Sequence, residues 1–262
     1  MTNVKISSFN VNSVKARLPQ LLAWLKNSQP DIVLLQELKC IEADFPFEAL
    51  FDAGYNAAVY GQKTYNGVAI ISKFKIEDVV KGLPNYEDEQ ARYIEAIVSL
   101  KNSVMRVASI YVPNGGGDEE KFLYKLDFFD ALKTHLAELH EYDEIQIFGG
   151  DFNVAVEEID CFDPKSADGQ ILFHPLERQK FRSLLNLGFI DSYRAANPNH
   201  QAFSWWDYRG NSWQHNKGFR IDYLLTSPLA ADKILEATIE DRGVRDQEKA
   251  SDHCPVCLTL AT

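Results

Sequence analysis

The stretch "IQIFGGDFNV", residues 145–154, places an apolar run typical of a buried β-strand directly before two glycines, an acid and an amide. Residues i and i+2 of an extended chain point to the same side, so Asp151 and Asn153 are expected to share a face. Gly149 and Gly150 have no side chain and allow another group to approach the backbone closely. The stretch therefore predicts a buried strand that ends in polar groups at the edge of a site.

Similar apolar runs recur along the chain and predict further strands. The predicted strands cover 4–10, 32–36, 55–60, 67–72, 94–100, 104–112, 144–149, 220–226 and 254–260. Three helices are predicted. The first begins after Arg17, the second covers 118–140 with Asp118 as its N-cap, and the third runs from Pro175 to Gly188. Several strands follow one another in hairpin order and only some connections are helical. A mixed α/β architecture with helices covering sheets therefore fits better than a purely parallel sheet.

The chain has 262 residues, of which 45% are hydrophobic, and this is enough to bury a large core. Because no Pro/Gly/Ser-rich linker divides it, we expect a single domain over residues 1–262. The first residues lack a basic segment followed by an apolar one, and no apolar run approaches the ~20 residues that cross a bilayer. We expect a soluble protein of the cell interior.

The formal net charge is −11, from 27 basic and 38 acidic residues, which argues against a protein that holds polyanions by bulk charge. Clustered acids can still be neutralised by a divalent ion. Four cysteines include the pair Cys254 and Cys257 in "CPVC". In a strand these two lie roughly 10 Å apart at about 3.3 Å per residue, too far for a disulfide. Since a second ligand pair for zinc is missing, buried thiols are expected.

Several other predicted strands also end in polar side chains. The residues at these ends are Asn10, Asn12, Gln36, Glu37, Tyr111, Asn114, Asp222, Asp252 and His253. Taken singly, each has a structural explanation, because Asn and Asp often terminate strands by binding nearby backbone. Taken together they favour a functional site, since sites in α/β proteins are built where strands end.

Carboxylate and amide oxygens suit Mg²⁺ or Mn²⁺, whereas soft Cys/His clusters that would favour zinc are not present in the sequence. Hydrolysis of a phosphodiester needs an attacking water, a base, neutralisation of developing charge and help for the leaving oxygen. A metal-binding carboxylate, a separate Asp, a His held by another Asp and neutral Asn donors would cover these tasks. A Ser or Cys nucleophile has no comparable support.

Nine stretches in order resemble the exonuclease III family of AP endonucleases, within the endonuclease/exonuclease/phosphatase superfamily that also contains DNase I. They are "SFNVNSVKAR", "DIVLLQELK", "YNGVAIIS", "DEQARYIEA", "YVPNGGG", "GGDFNVA", "SWWDYRG", "GFRIDYLL" and "SDHCPV". The segment after "GGDFNVA" is similar to the bacterial branch. The resemblance implies a DNase I-like, four-layer α/β sandwich in which two packed mixed sheets are flanked by helices.

The resemblance also implies roles for the strand-end residues. Glu37 corresponds to the metal-binding glutamate, with Asn10, Asp252, Asp151 and Asn153 near the same ion. Asp151 would orient or deprotonate the attacking water, and Asn153 would bind the phosphate. His253 would polarise a non-bridging oxygen while Asp222 holds it, and Tyr111 would contact the scissile phosphate.

Residues that contact DNA are implied in the same way. Asn114 corresponds to a DNA contact, and Trp205, Phe219 and Ile221 match the pocket for a flipped-out abasic sugar. Arg178, with Lys180 and Arg182, would supply local positive charge. Gly117 stands where animal members carry an arginine, so a wedge formed by that arginine is not expected.

The implied function is a Mg²⁺-dependent DNA repair nuclease, with Mn²⁺ able to substitute, that cuts 5′ to an abasic site and trims nucleotides or blocking groups from 3′ ends. The expected partner is double-stranded DNA with abasic sites or blocked 3′ ends, bound by a monomer in the bacterial cytoplasm. One alternative is a phosphodiesterase or phosphatase of the same superfamily acting on inositol phosphates or lipids. Another is a catalytically silent DNA-binding module.

Overall fold

Two β-sheets form the centre of the protein, and the computed structural model describes residues 3–101, 103–241 and 243–261. The strands are β1 (Asn3–Asn10), β2 (Ile32–Gln36), β3 (Asn56–Tyr60), β4 (Val68–Ser72), β5 (Lys75–Lys81), β6 (Tyr93–Ser99), β7 (Val104–Tyr111), β8 (Gln146–Asp151), β9 (Ile190–Asp191), β10 (Asp222–Thr226), β11 (Ile234–Ile239) and β12 (Val256–Ala261). The helices are α1 (Leu18–Ser28), α2 (Phe47–Asp52), α3 (Glu119–His140), α4 (Pro164–Ala167), α5 (Pro175–Leu185), α6 (Ser192–Ala196) and α7 (Pro228–Ala231).

Each sheet has six strands and contains one parallel pair. The first sheet has the order β11-β12-β1-β2-β4-β3, and the second has the order β5-β6-β7-β8-β10-β9. In the first sheet β1 and β2 are parallel and connected through α1, and in the second β7 and β8 are parallel and connected through α3. The other paired strands are antiparallel. The predicted mixed sheets are confirmed.

The core has three layers of apolar side chains, which separate four layers of backbone. Ile6 and Leu34 of the first sheet pack against Val107 and Ile147 of the second. Helix α1 covers the outer face of the first sheet. Helices α3 and α5 cover the outer face of the second sheet. The predicted four-layer sandwich is therefore confirmed.

Gly149 and Gly150 lie where β8 packs tightly against β7, β10 and the first sheet. A Cβ atom on Gly150 would lie 1.8 Å from the carbonyl oxygen of Ile110 on β7. A Cβ atom on Gly149 would lie 2.5 Å from Leu224 Cδ2 and 2.7 Å from Leu34 Cδ1, the latter in the opposite sheet. The glycines thus admit neighbouring protein atoms, and they bring the end of β8 up to the first sheet.

All nine predicted strands are present, but β5, β9 and β11 were not predicted. Strands β5, β9 and β11 lie at sheet edges, β5 is largely exposed, and β9 has only two residues. In β5 and β11, charged or small residues interrupt the apolar run. The short helices α2, α4, α6 and α7 were missed as well, since four to six residues show no helical period.

The three predicted helices are confirmed. The Asp118 carboxylate accepts a hydrogen bond of 2.9 Å from the Lys121 backbone N–H, as expected of an N-cap. Helix α5 begins at Pro175, as predicted. The four cysteines are buried free thiols, although Cys254 precedes β12 instead of lying in it. In the described ranges, no helix has both the length and the apolar character needed to span a bilayer.

Candidate active site

The polar strand ends meet at one edge of the sandwich, where both sheets contribute. Asn10 ends β1 and Glu37 follows β2 in the first sheet. In the second sheet Tyr111 and Asp222 both lie opposite Asp151 in the strand register. We call Glu37, Asp151, Asp222, Asp252 and His253 the acidic cluster.

Asn10 joins the two sheets at this edge. Its Nδ2 donates to Glu37 Oε1 and to Asp151 Oδ2, both at 2.9 Å. Asn10 therefore bridges the two carboxylates through Nδ2, while its Oδ1 accepts from the Asn12 backbone N–H at 3.0 Å. The second oxygen of Glu37 pairs with Lys39 Nζ at 2.8 Å. Burial of Glu37 opposes ionisation, but the charge and hydrogen bond of Lys39, the hydrogen bond from Asn10 and the charge of His253 together outweigh burial and lower the pKa of Glu37.

Asp151 and Asn153 are close neighbours for a different reason from the predicted one. The strand ends at Asp151, and Asn153 has a left-handed backbone with φ of 50°. The Asn153 backbone N–H donates to Asp151 Oδ1 at 2.9 Å, which makes a turn closed by the aspartate side chain. Its amide Nδ2 donates to Val112 O at 2.9 Å, and its Oδ1 accepts from Asn114 Nδ2 at 3.1 Å. The expectation of an extended chain at this point was wrong.

His253 is held by Asp222 and faces Asp151. Its Nδ1 lies 2.9 Å from Asp222 Oδ2, and its Nε2 lies 3.7 Å from Asp151 Oδ2. Asp222 is fixed in turn by Ser204, whose hydroxyl donates to it at 2.6 Å. Burial disfavours the charged imidazole, but the carboxylates of Asp222 and Asp151 outweigh burial and raise the pKa of His253 to about 10. His253 is therefore a cation at neutral pH.

Asp151 is the member of the acidic cluster best able to exchange a proton near neutral pH. Burial raises its pKa to about 7, and the charges of Asp222 and Glu37 act in the same direction, while His253 opposes them. A base with a pKa near the working pH combines availability with driving force for proton transfer. The geometry places this base beside a cationic histidine.

Both oxygens of Asp252 are already engaged. Oδ1 accepts from Asn12 Nδ2 at 2.8 Å and Oδ2 accepts from Trp205 Nε1 at 2.9 Å. Burial of Asp252 opposes ionisation, but the charge of His253 and these two bonds outweigh burial and lower the pKa of Asp252. Asp252 lies beside the acidic cluster's centre as an oriented anion.

A divalent cation fits the acidic cluster. One carboxylate oxygen each of Glu37 and Asp151 lie within 4.8 Å of one another and of a ring nitrogen of His253, which as a cation leaves the binding of the ion to the carboxylates. The four carboxylates of the cluster outnumber the cations that pair with them, which are His253 and Lys39. Carboxylate oxygens are preferred by Mg²⁺ and Mn²⁺, and the excess negative charge favours a doubly charged ion. Glu37 and Asp151 would hold it, with Asn10 and Asp252 beside them.

Tyr111 and Asn114 lie at the mouth of this edge. The guanidinium of Arg92 lies 4.9 Å from the centre of the Tyr111 ring. Burial raises the pKa of the Tyr111 hydroxyl well above its usual value, and the negative charge of Glu37 adds to this. Tyr111 therefore remains a neutral hydrogen-bond donor. The Asn114 side chain binds Asn153, as described above.

The residues of the predicted apolar pocket pack together next to His253. The Trp205 ring centre lies 6.0 Å from that of Phe219 and 6.5 Å from that of His253. Ile221 is almost completely buried behind them. The neighbouring Trp206 is buried in a separate cluster, so only Trp205 of the pair faces the site. Trp205 thus contacts both the pocket and Asp252.

The predicted positive patch is largely engaged in contacts within the protein. Arg178 Nε donates to Val156 O at 2.8 Å, and its guanidinium lies 4.2 Å from the Phe173 ring centre. Lys180 pairs with Asp130, and Arg182 pairs with Glu157 at 2.9 Å. A DNA contact by Arg178 stays a prediction.

Sequence reasoning missed three residues that support the site. They are Lys39, which pairs with Glu37, Ser204, which binds Asp222, and Lys125, which is buried beneath Asn153. Lys125 had a signal, because it lies directly before Leu126 on the apolar face of the predicted helix. Ser204 and Lys39 lie within the motifs "SWWDYRG" and "DIVLLQELK", but their residue types did not indicate a role, since a serine or lysine in a loop is usually a solvated residue.

Comparisons with known proteins agree with this geometry. Residues 7–253 match the endonuclease/exonuclease/phosphatase family. Exodeoxyribonuclease III of Haemophilus influenzae is 33% identical over 97% of this chain and 98% of its own length. The structure of the 3′ phosphatase NExo from Neisseria, bound to a product DNA hairpin, has a TM-score of 0.93 and 38% identity, and covers 99% of this chain and 100% of that one.

An AP endonuclease from Archaeoglobus fulgidus also has a TM-score of 0.93, with 33% identity over 99% of this chain and 100% of its own. The likeness spans both sheets and their helices, and the family match begins in β1 and ends at His253. The resemblance deduced from the nine motifs is confirmed. The chain belongs to the endonuclease/exonuclease/phosphatase family and, within it, to the proteins related to exodeoxyribonuclease III.

Proposed function

We propose that the protein is a Mg²⁺-dependent DNA repair nuclease that hydrolyses the phosphodiester 5′ to an abasic site, leaving a 3′-hydroxyl and a 5′-deoxyribose phosphate. It also removes nucleotides or phosphate groups from 3′ ends. The observation that carries this proposal is the meeting of Glu37, Asp151 and His253 within 4.8 Å, beside the Trp205 and Phe219 pocket.

The residues divide the work of hydrolysis. Asp151 orients the attacking water and accepts its proton, because burial and the neighbouring carboxylates of Asp222 and Glu37 raise its pKa and make it a stronger base than an exposed aspartate. His253, cationic through Asp222, binds a non-bridging phosphate oxygen and stabilises its developing charge. Asn153 and Tyr111 add neutral donors to the same phosphate.

Glu37 and Asp151 hold the divalent ion, which when bound supplies positive charge to the phosphate and the leaving oxygen. Mg²⁺ is proposed as the ion, with Mn²⁺ as a substitute, because both take carboxylate oxygens. The ion also reduces the repulsion between the carboxylates and DNA. A protein with a net charge of −11 therefore depends on it to approach a polyanion.

The substrate class follows from the pocket and from the relatives. Trp205 and Phe219 form an aromatic surface next to His253, which we propose receives a sugar that has lost its base. One relative in structure is named an AP endonuclease, and another a 3′ phosphatase bound to product DNA. We propose double-stranded DNA with abasic sites or blocked 3′ ends as the substrate of a monomeric enzyme in the cytoplasm.

A labelled duplex that carries one abasic analogue tests the proposal. With Mg²⁺, a single cut 5′ to the analogue and a 3′-hydroxyl product are expected, and EDTA should abolish both. A duplex with a 3′-phosphate end should release phosphate. If the abasic strand stays intact while inositol phosphates lose phosphate, the substrate class is wrong. If DNA is bound without any cleavage, the protein is a binding module.

A further inference from the structure

A lysine is fully buried beneath the active site. Lys125 lies on α3, and its side chain and that of its partner Glu177 on α5 have no exposed surface. The Lys125 ammonium lies 2.6 Å from Glu177 Oε1, 2.6 Å from the carbonyl oxygen of Asn153 and 3.1 Å from that of Asn114. Its three hydrogen bonds therefore go to three separate segments of the chain.

Such a residue is costly to bury. Burial lowers the pKa of Lys125, although the charge of Glu177 opposes this. Buried ion pairs are often no more stabilising than apolar residues of similar volume. The rest of this face of α3, including Leu126 and Phe129, is apolar and packs in the core. Stability alone therefore does not explain an ammonium at this position. Its hydrogen bonds to the two carbonyls indicate a role in positioning the segments that carry them.

Both carbonyls belong to residues that point at the phosphate in the proposed reaction. The Asn114 and Asn153 side chains bind each other at 3.1 Å, and the Asn153 N–H binds Asp151. Asn153 has a φ of 50°, a left-handed backbone that costs energy unless its surroundings enforce it. Lys125 therefore adds a second restraint to a turn that the Asp151 side chain already closes.

The loop after β7 also rests on this lysine. A Cβ atom on Gly115 would lie 2.8 Å from Lys125 Cδ, so the loop backbone packs directly on the lysine stem. The ammonium donates to the Asn114 carbonyl in that loop and to the Asn153 carbonyl in the turn after β8, and so links the two segments. Glu177 fixes the ammonium from α5 and is itself held by the His174 backbone N–H at 3.1 Å.

We propose that Lys125, oriented by Glu177, is a positioning residue that sets the spacing between Asn114 and Asn153 for the phosphate. The inference rests on the proposed function. It predicts that loss of the ammonium affects turnover more than substrate affinity, because the two asparagines still reach DNA but no longer hold the transition-state geometry.

The Lys125→Met variant and the Lys125→Met/Glu177→Met double variant test this. The double variant leaves no unpaired buried charge, so it is expected to fold and to lose less stability than Lys125→Met. On the abasic duplex, kcat is expected to fall about 10²-fold in both, with KM within about threefold, since small misplacements of this kind cost that much. Amide hydrogen exchange of residues 112–116 and 151–155 should become faster.

Arg106→Met is the matched control. Arg106 pairs with the buried Glu95 at 2.6 Å, at the end of β7 remote from Tyr111. This variant is expected to lose stability while kcat and the exchange of residues 112–116 stay unchanged. A general effect of removing buried ion pairs would lower kcat in the control as well, and that result would overturn the inference.

The remaining outcomes are also decisive. Wild-type kcat in any folded Lys125→Met variant would overturn the inference, whereas a wild-type protein that does not cut the abasic duplex contradicts the proposed function instead. In that case faster exchange of residues 112–116 in the variants would still support the positioning role. Lys125→Gln retains one donor and is expected to lower kcat about tenfold. Failure of all three variants to fold would assign the pair to stability and overturn the inference.

Discussion

Two of the regions that hold buried carboxylates differ in the partners of those carboxylates. In the acidic cluster, Asp151 has His253 Nε2 at 3.7 Å and two neighbouring carboxylates. The second region, the Arg220 cluster, consists of Asp160, Asp191, Arg194 and Arg220. There Arg220 binds Asp160 at 2.7 and 3.1 Å and Asp191 at 2.7 Å, and Arg194 also binds Asp160.

The two regions have opposite electrostatics although both are buried. Burial disfavours ionisation of Asp160, but Arg220, the Glu157 backbone N–H and Arg194 together outweigh burial and keep the pKa of Asp160 below its usual value. Burial of Asp151 is offset only in part, by His253, so the pKa of Asp151 rises to about 7. Burial alone therefore does not make a carboxylate reactive. A carboxylate becomes reactive where acids outnumber the cations that pair with them. That excess negative charge can bind a divalent ion and, through the ion, a phosphate.

Asp151→Asn should have the largest effect on cleavage. A small effect would contradict the contrast between the acidic cluster and the Arg220 cluster. Removing the proposed base is expected to lower the single-turnover cleavage rate about 10³- to 10⁴-fold. Binding of the abasic duplex should change little, and the melting temperature should not fall, because the amide removes a disfavoured buried charge. Rapid quench and fluorescence anisotropy measure the two quantities. A variant that keeps a tenth of the wild-type rate would remove Asp151 from the role of base.

Arg220→Met is expected to have the reverse profile, with a large loss of stability. Asp160 and Asp191 would keep their burial and lose their main cation, which costs about 3–5 kcal/mol of unfolding free energy. Urea denaturation measures this. The control is Arg209→Met, which removes the exposed pair with Asp207 at 2.7 Å and should change stability by no more than about 0.5 kcal/mol. Equal losses in the two variants would show that the Arg220 cluster is not a stability element.

Glu37→Gln sharpens the assignment of the metal site. Loss of one carboxylate charge is expected to raise the Mg²⁺ concentration for half-maximal cleavage about tenfold or more, with recovery at high Mg²⁺. The matched control is Glu42→Gln, at an exposed pair with Lys81 of 2.7 Å, and it should leave the Mg²⁺ dependence unchanged. Unaltered dependence in Glu37→Gln would exclude Glu37 as a ligand.

The smallest effect concerns the pH dependence of stability. Because the pKa of Asp160 is lower in the folded than in the unfolded state, its stabilisation is present above the unfolded pKa, about 3.9, and is lost as pH falls through the folded value. Between pH 4 and 2, roughly, the wild type should lose stability more steeply than Asp160→Asn, by at most about 1.4 kcal/mol per pH unit. Parallel curves from urea denaturation would contradict this role of Asp160.

The sequence allowed the fold class and most members of the acidic cluster to be predicted, because strand ends and motifs mark them locally. Asp151, Asp222 and His253 each follow or begin an apolar run, and the ordered motifs tie them to one family. The extended geometry expected between Asp151 and Asn153 was wrong, since the sequence pattern does not show the left-handed turn at Asn153.

Residues whose partners lie far along the chain could not be predicted. Lys125 and Glu177 are 52 positions apart, and Arg220 and Asp160 are 60 apart. A lone cation inside an apolar pattern indicates that some partner exists, but the identity of the partner depends on how the sheets and helices pack. The edge strand β5 was missed for a related reason, because its pairing with β6 and not its own composition defines it.

The close approach at Gly149 and Gly150 limits how this family member can change. With a Cβ at Gly150 placed 1.8 Å from Ile110 O, alanine would already separate β7 from β8 and move Tyr111 away from Asp151. A library randomised at these two codons and selected for repair in cells should return glycine almost alone. To alter substrate choice, the loops around the contact between β7 and β8 should therefore be varied, while Gly149 and Gly150 are kept.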